Sequence, residues 1–180
     1  MWFCRLTFTL LSVALFSGCG FQPLYGSRLG ELVMADLSSI ELAPLDGVIG
    51  VQLQNTLHDH LQLNDRKAKA YKLALNYDTA NYPMITGQDS QIGRYTMILT
   101  VGYTLIEVSS GSMVMEGHTS AHASYNVISD NVYATFVAEE EASLRAAKQN
   151  GSQIANLLSL HFSRKNQKSQ GARGKYHRGI

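Results

Sequence analysis

The residues that could carry chemistry are few, and their spacing argues against a metal or catalytic centre. His58, Asp59 and His60 are adjacent, but they fall in a predicted helix, on which residues two apart face different sides. His118 and His122 fall on a predicted strand, where four residues span about 13 Å, so they cannot share one metal ion. We therefore expect no metal site and no cofactor.

Acidic residues and serines show no catalytic pattern either. Glu139, Glu140 and Glu141 spread around a predicted helix as solvated side chains, and Glu141 stands one turn before Arg145, its expected ion-pair partner. Asp130 is better explained as a helix cap than as an acid catalyst. The sequence contains no G-x-S-x-G, P-loop or dinucleotide-binding pattern. We expect the protein not to be an enzyme. A membrane-tethered hydrolase is kept as the one enzymatic alternative.

Both cysteines of the chain lie near the N-terminus, so the body of the protein offers no disulfide and no cysteine-based zinc site. Residues 6–16 form an apolar run that is too short to span a bilayer, which needs about 20 residues, but is typical of signal peptides. Small residues follow at 17–18, directly before Cys19. Residues 1–18 are therefore predicted to be a signal peptide, followed either by a lipidated cysteine or by a plain cleavage site beside a chance cysteine.

The segment around Cys19 resembles a bacterial lipoprotein box, in which a small residue precedes the cysteine that becomes the acylated first residue. Phe16 stands where such boxes usually have leucine. A cysteine that carries several acyl chains is a lasting anchor, because each buried methylene contributes about 0.8 kcal/mol. Gly20, rather than aspartate, follows the cysteine. By resemblance to lipoproteins of two-membrane bacteria, this favours the outer membrane.

Hydrophobic periodicity after residue 30 predicts one α+β domain. Apolar positions either alternate or recur every three to four residues. They predict a strand over 31–43, a helix over 48–63, a strand over 70–79, a loop or irregular continuation over 80–91, strands over 92–108 and 113–127, and a helix over 131–163. The order β-α-β-β-β-α predicts a two-layer α/β sandwich, with a four-stranded, mostly antiparallel sheet and two amphipathic helices on one face. Ser129 or Asp130 is expected to cap the last helix, in which Gly151 marks either a close contact or a kink.

The formal charge of +1 hides an uneven distribution. Residues 164–180 hold six basic residues and no acidic one, whereas residues 19–163 hold eight basic against fourteen acidic residues. We therefore divide the mature chain into a lipidated leash over 19–30, the sandwich domain over 31–163, and a basic, disordered tail over 164–180. The tail is either a solvated terminus or a polybasic patch that contacts anionic lipid head groups. No nucleic acid is expected as a partner of a secreted, membrane-tethered chain.

Several stretches resemble the LPS-assembly lipoproteins, which sit inside the outer-membrane β-barrel that delivers lipopolysaccharide to the cell surface. The stretches are CGFQPLYG at 19–26, YTLIEVSSGSMVMEG at 103–117, AHASYNV at 121–127 and YATFVAEEEASLRAAKQNGSQIANLLSLHF at 133–162, the last in its alphaproteobacterial form. The resemblance covers nearly all of the mature chain except the tail. Phe16, Gly151 and the tail depart from the family pattern. The resemblance implies the same two-layer α/β sandwich.

The resemblance also implies a function. The protein would be an outer-membrane lipoprotein, anchored through Cys19 on the periplasmic side and in the barrel lumen, that plugs and helps assemble the β-barrel translocon and binds lipopolysaccharide. Its partners would be the barrel, lipopolysaccharide and the outer membrane. The alternative function is a generic outer-membrane lipoprotein or a pilot subunit of another envelope assembly.

Lipopolysaccharide carries phosphates and acyl chains, so cations beside apolar surface are its expected contacts. Basic side chains follow the first predicted helix and open the long hairpin. They are Arg66, Lys67, Lys69, Lys72 and Arg94. These residues either bind lipopolysaccharide or belong to an ordinary solvated surface.

Overall fold

The structure, a computed structural model, describes residues 28–63, 68–85, 92–128 and 130–176. The predicted signal peptide, Cys19, Arg66 and Lys67 lie outside the described residues. Helices and strands follow one another in this part of the chain in the order α1 (Arg28–Leu37), β1 (Ile40–Leu42), α2 (Gly47–Leu61), β2 (Tyr71–Ile85), β3 (Ile92–Glu107), β4 (Met113–Asn126) and α3 (Val132–Tyr176).

The strand predicted over 31–43 is wrong for most of its length. Residues up to Leu37 belong to α1, and only Ile40–Leu42 form a strand. The described part of the chain therefore has one more helix than the sequence pattern predicted, in the order α-β-α-β-β-β-α.

Side-chain spacing and local hydrogen bonds explain this first helix. Val33 and Leu37 are both buried and stand four residues apart, which places them on one face of α1. The hydroxyls of Ser38 and Ser39 each donate to the carbonyl three residues earlier, at 3.0 and 2.6 Å. These bonds occupy carbonyls of the last turn, so α1 ends there and the chain turns into β1.

The four strands form one mixed sheet in the order β1-β2-β3-β4. β1 is parallel to β2, whereas β2, β3 and β4 are successive antiparallel hairpin arms of 15, 16 and 14 residues. At about 3.3 Å per residue, the longest arm extends about 50 Å. β2 continues to Ile85, so residues 80–85 extend the sheet. The predicted four-stranded, mostly antiparallel α/β sandwich is confirmed.

The three helices contribute to a common core on one face of the sheet. α2 buries Leu53, Leu57 and Leu61 at a spacing of four residues, as predicted. The sheet buries odd-numbered side chains of β3 from Met97 to Leu105, which confirms the predicted alternation. The core joins residues of every layer, including Val33, Leu37, Leu57, Leu73, Leu99, Leu105, Ala121, Ile154, Leu158 and Phe162.

The last helix begins at Val132, one residue after the predicted start at 131. The backbone N–H of Ala134 donates to Asn131 Oδ1 at 3.0 Å, so Asn131 caps α3, and the prediction of Ser129 or Asp130 is wrong. The helix continues past the predicted end at 163 to Tyr176, so residues 164–176 are helical. None of the helices in the described part of the chain has the length and apolarity needed to cross a membrane.

Gly151 lies where α3 crosses α2. A Cβ at this position would come within 2.9 Å of Thr56 Cγ2 and 3.0 Å of Thr56 Cβ. The glycine therefore permits a close contact between the two helices, which is the first of the two predicted explanations.

Candidate functional site

The sheet face opposite the helices is uncovered by any element in the described part of the chain. Even-numbered side chains of the three long strands share this face, because both antiparallel registers pair even with even positions. We call this surface the open face and define it by the even-numbered residues of 72–84, 94–104 and 116–126. Most of its side chains are polar. Besides Lys72 and Arg94, they are Asn76, Asp78, Thr96, Thr100, Thr104, Glu116, His118, Ser120, His122, Ser124 and Asn126.

Hydroxyl pairs cross the open face between β3 and β4. Thr96 Oγ1 lies 3.2 Å from Ser124 Oγ, and Thr100 Oγ1 lies 3.2 Å from Ser120 Oγ. Cross-strand pairs of this type contribute about 0.2–1 kcal/mol each to the sheet. Because the paired threonine and serine side chains are short and bond to each other, the part of the open face between β3 and β4 is low and polar. Another polar surface can therefore approach it closely.

The structure separates the basic residues proposed to bind lipopolysaccharide. Lys72 and Arg94 are both exposed on the open face, but Arg94 pairs with Met84, twelve residues along β2 from Lys72. At about 3.3 Å per residue, this separation is about 40 Å. Lys69 lies apart from the face, and its Nζ donates to the Ile40 carbonyl at 3.4 Å. Lys69, Lys72 and Arg94 thus do not form one cluster.

Lys165 is a cation that the sequence pattern missed, because it falls in the segment expected as a tail. Its Nζ donates to the Tyr71 hydroxyl and lies 5.1 Å from the centre of the Tyr71 ring. This hydrogen bond is the main cause that raises the pKa of Lys165, and the negative charges of Asp36 and Glu107 act in the same direction, whereas burial opposes them. Lys165 therefore adds positive charge on the helix side of the sheet, across the sheet from Lys72.

The opposite end of the molecule carries an acidic, partly apolar groove. A cavity of about 320 Å³ lies between the first turn of α2 and the second and third turns of α3, and Phe136, Glu139 and Glu140 line it. Asn81 Nδ2 donates to Glu139 Oε1 at 2.9 Å. Burial, with Glu139 nearby, raises the pKa of Tyr125 to about 12. The carboxylates make this groove unfavourable for phosphate groups.

The histidines and acids singled out in the sequence do not converge on a reaction centre. His60 Nε2 lies 3.1 Å from Ser152 Oγ, and His58 and Asp59 are exposed beside it. Within the described ranges, no three His, Cys, Asp or Glu side chains have a geometry that could hold a metal ion. The predicted Glu141–Arg145 ion pair is present at 3.8 Å on the surface of α3.

Comparisons with known proteins give the class of this fold. A candidate lipoprotein from Caulobacter crescentus CB15 matches the structure with a TM-score of 0.60 and 25% identity, over 73% of this chain and 96% of that one. The minor lipoprotein of Acinetobacter baumannii shares the fold with a TM-score of 0.50 and 20% identity, over 67% of this chain and 88% of that one. The Caulobacter match supports a bacterial lipoprotein as the class of this protein, and the Acinetobacter match shows the shared fold.

Sequence comparison adds a relative of similar length. The chain is 28% identical over 159 residues to RP188, an uncharacterized protein of Rickettsia prowazekii (strain Madrid E), and the match covers 88% of this chain and 98% of that protein. No family model matches the chain.

Proposed function

We propose that the protein is an outer-membrane lipoprotein that plugs and helps assemble a β-barrel lipopolysaccharide translocon and binds lipopolysaccharide during its delivery to the cell surface. The open face is the observation that carries this proposal. It presents three long strands with mostly polar side chains, and no described element covers it. The interior of a membrane β-barrel is polar, so a polar sheet face is a suitable surface to lie against its wall.

The proposed anchor would hold this face close to the membrane. In the proposal, Cys19 is acylated, and residues 20–27 connect it to α1 at Arg28. The nine residue steps from Cys19 to Arg28 reach at most about 32 Å when fully extended, so the start of α1 cannot move farther than this from the anchored cysteine. The domain is then confined to the periplasmic side of the outer membrane and to the lumen of a barrel embedded there.

Lipopolysaccharide would contact the open face at two separate points. Lys72 and Arg94 are exposed, and no ion pair within the described residues neutralises either of them. Their separation of about 40 Å excludes one shared phosphate site. In the proposal, phosphate groups bind near Lys72 and independently near Arg94. Reversing one charge then leaves the other contact intact.

Partner capture from cells tests the plug. A photoreactive amino acid at Asp78, exposed on the open face, is compared with the same amino acid at Gln149, exposed on the helix layer. The tagged, lipidated protein is purified from outer membranes in mild detergent, and its partners are identified by mass spectrometry. We expect one large β-barrel protein in near-equal amount, crosslinked from position 78 and not from 149. Recovery alone, or with a secretin-type channel, would reject the plug and favour the alternative of a generic lipoprotein or pilot subunit.

Lipopolysaccharide binding has a separate test on the purified protein. We expect Lys72→Glu and Arg94→Glu each to weaken binding in part, and the double variant to weaken it further. Lys148→Glu, which reverses an exposed charge on the helix layer, is the matched control and should bind like the wild type. Unchanged binding by the double variant would exclude the open face as the lipopolysaccharide-binding surface. It would not affect the proposal that the protein plugs a barrel.

A further inference from the structure

The sheet ends in a long strand whose outer edge is unpaired within the described residues. The strand order places β1 and β4 at the two edges of the sheet. β1 has three residues, whereas β4 has fourteen, from Met113 to Asn126. An edge strand of this length presents a row of backbone donors and acceptors to any strand that can lie beside it.

One hydrogen bond fixes which residues of β4 face outward. The N–H of Val127 donates to the Gly93 carbonyl at 3.0 Å, so this pair is a hydrogen-bonded pair of the β3–β4 ladder. Such pairs recur at every second residue, so the odd-numbered residues of β4 bond to β3. The N–H and C=O groups of the even-numbered residues from Glu116 to Asn126 therefore point to the outer edge.

Most of these outward groups have no partner in the part of the chain that the structure describes. Arg145 Nη2 donates to the Ser124 carbonyl at 3.3 Å and so occupies one acceptor near the end of the strand. In the preceding stretch, Glu116 to His122, no described side chain makes a hydrogen bond to the outward backbone groups. β4 also contains no proline, lysine or arginine, the residues that commonly prevent edge strands from pairing. This stretch is consequently open to an additional strand.

We propose that β4 pairs antiparallel with β4 of a second copy of this chain, with the two-fold axis at Thr119. This register places His118 opposite Ser120 of the partner subunit and Glu116 opposite His122 of the partner subunit. By symmetry, each contact occurs twice. The axis is perpendicular to the sheet, so the two open faces join into one continuous eight-stranded surface.

Charge complementarity favours this register over an axis at Ser120, and it favours a second copy of this chain as the occupant. The edge carries one carboxylate and two imidazoles, and the axis at Thr119 opposes each carboxylate to an imidazole. A shift of the axis to Ser120 would instead place His118 opposite His122 of the partner subunit, which is unfavourable when both are protonated. The outer edge of β4 is thus complementary in charge to the same edge of a second copy that runs in the opposite direction. The proposal rests on the edge alone and does not depend on the proposed plug function.

Proline at the edge gives a selective test. The Ser120 N–H points outward and takes no part in the β3–β4 ladder, so Ser120→Pro removes an edge donor and blocks a neighbouring strand while the ladder persists. Ser120→Ala removes only the hydroxyl and is the matched control. The purified full chain is studied by sedimentation equilibrium in density-matched detergent. We expect dimers for the wild type and Ser120→Ala, and a dissociation constant raised by roughly thirtyfold for Ser120→Pro, which loses two symmetric hydrogen bonds.

A charge exchange tests the register. Glu116→Lys should weaken the dimer, because lysine then faces His122 of the partner subunit, and adding His122→Glu should restore it. Circular dichroism checks that each variant keeps the wild-type fold. A monomeric wild type would overturn the proposal, and so would association that Ser120→Pro leaves unchanged, since shared micelles would then account for it. Neither result affects the purification of a β-barrel partner with the protein. The dimer proposal and the plug proposal can therefore fail independently.

Discussion

Replacing Gly151 by alanine tests how closely α2 and α3 pack. The added Cβ would lie 2.9 Å from Thr56 Cγ2, and Thr56 is buried at 5% exposure, so its side chain has little room to move. Inserting a methyl group into a packed interface costs about 1–3 kcal/mol. Alanine in a helix interior recovers about 1 kcal/mol relative to glycine. We therefore expect Gly151→Ala to lower the free energy of unfolding by about 1 kcal/mol, although alanine is the better helix former.

A second substitution isolates the contact. Thr56→Ser removes Cγ2 and keeps the hydroxyl that donates to the Gln52 carbonyl at 2.8 Å. Alone, it should cost about 1 kcal/mol for the lost buried methyl. Combined with Gly151→Ala, it makes room for the new methyl, so the double variant should be at least about 1 kcal/mol more stable than the sum of the single effects predicts.

Urea unfolding followed by circular dichroism at 222 nm measures all four proteins of this cycle. Additive effects, or a Gly151→Ala protein more stable than the wild type, would show that the two helices do not make the close contact described here. Gly151 would then not be required for the packing of α2 against α3.

Further substitutions test the cap, the buried amide and the pH response. Asn131→Ala should cost about 1 kcal/mol in urea unfolding, and Asp130→Ala clearly less, because Asn131 makes the capping bond; equal losses would contradict the cap. Asn150→Leu should have a free energy of unfolding within about 1 kcal/mol of the wild type. The lost 2.9 Å hydrogen bond to the Leu99 carbonyl is offset, because the substitution also removes a buried Oδ1 that has no partner among the described groups. A loss of stability above about 2 kcal/mol would contradict this. Burial, with a smaller effect of nearby positive charge, lowers the pKa of His161 from 6.5, so the neutral form is favoured in the fold. Its contribution to stability is present above pH 6.5 and is lost as pH falls towards the lowered pKa, so unfolding measured at pH 7.5 and 5.5 should show a smaller loss for His161→Gln than for the wild type.

The sequence pattern predicted the hairpins well because one face of each long strand is buried. In β2, Tyr71 and Leu73 are buried while Lys72 is exposed, so the period of two is visible in the residues themselves. The prediction ended the strand at 79, too early, because Pro83 indicated a loop or an irregular continuation over 80–91. The Val108–Ala70 hydrogen bond shows that even-numbered residues of β2 bond to β3. Pro83 therefore lacks only an N–H that would point away from β3, beyond the end of β1, and the strand tolerates it.

The first helix was missed because its sequence carries conflicting preferences. Val33 is β-branched and favours a strand, as does Ile40 in the strand that follows, and a ten-residue helix shows only about three turns of periodicity. Val33 and Leu37 at a spacing of four were the available indication. The serine pair that ends the helix acts through hydrogen bonds, which hydrophobic periodicity does not register.

The candidate site could be predicted only in part. Alternation places Lys72 and Arg94 on the same face, but their distance depends on the register between β2 and β3, which no residue type reveals. Similarly, alternation cannot show that the open face lacks a covering layer. That property follows from the three helices all packing on the other side.

The contact between the first and last helices has a consequence for the order of folding. Asp36 Oδ2 accepts a hydrogen bond from Asn166 Nδ2 across 130 positions of the sequence, and Val33 and Leu37 of α1 share their core with Phe162 of α3. Because a nascent chain emerges N-terminus first, the apolar face of α1 stays exposed until α3 has been synthesised. The local β2–β3–β4 hairpins can form early, but the core closes only at the end. A chain that stops before α3 would therefore leave its N-terminal helix without a docking surface and would be open to proteolysis.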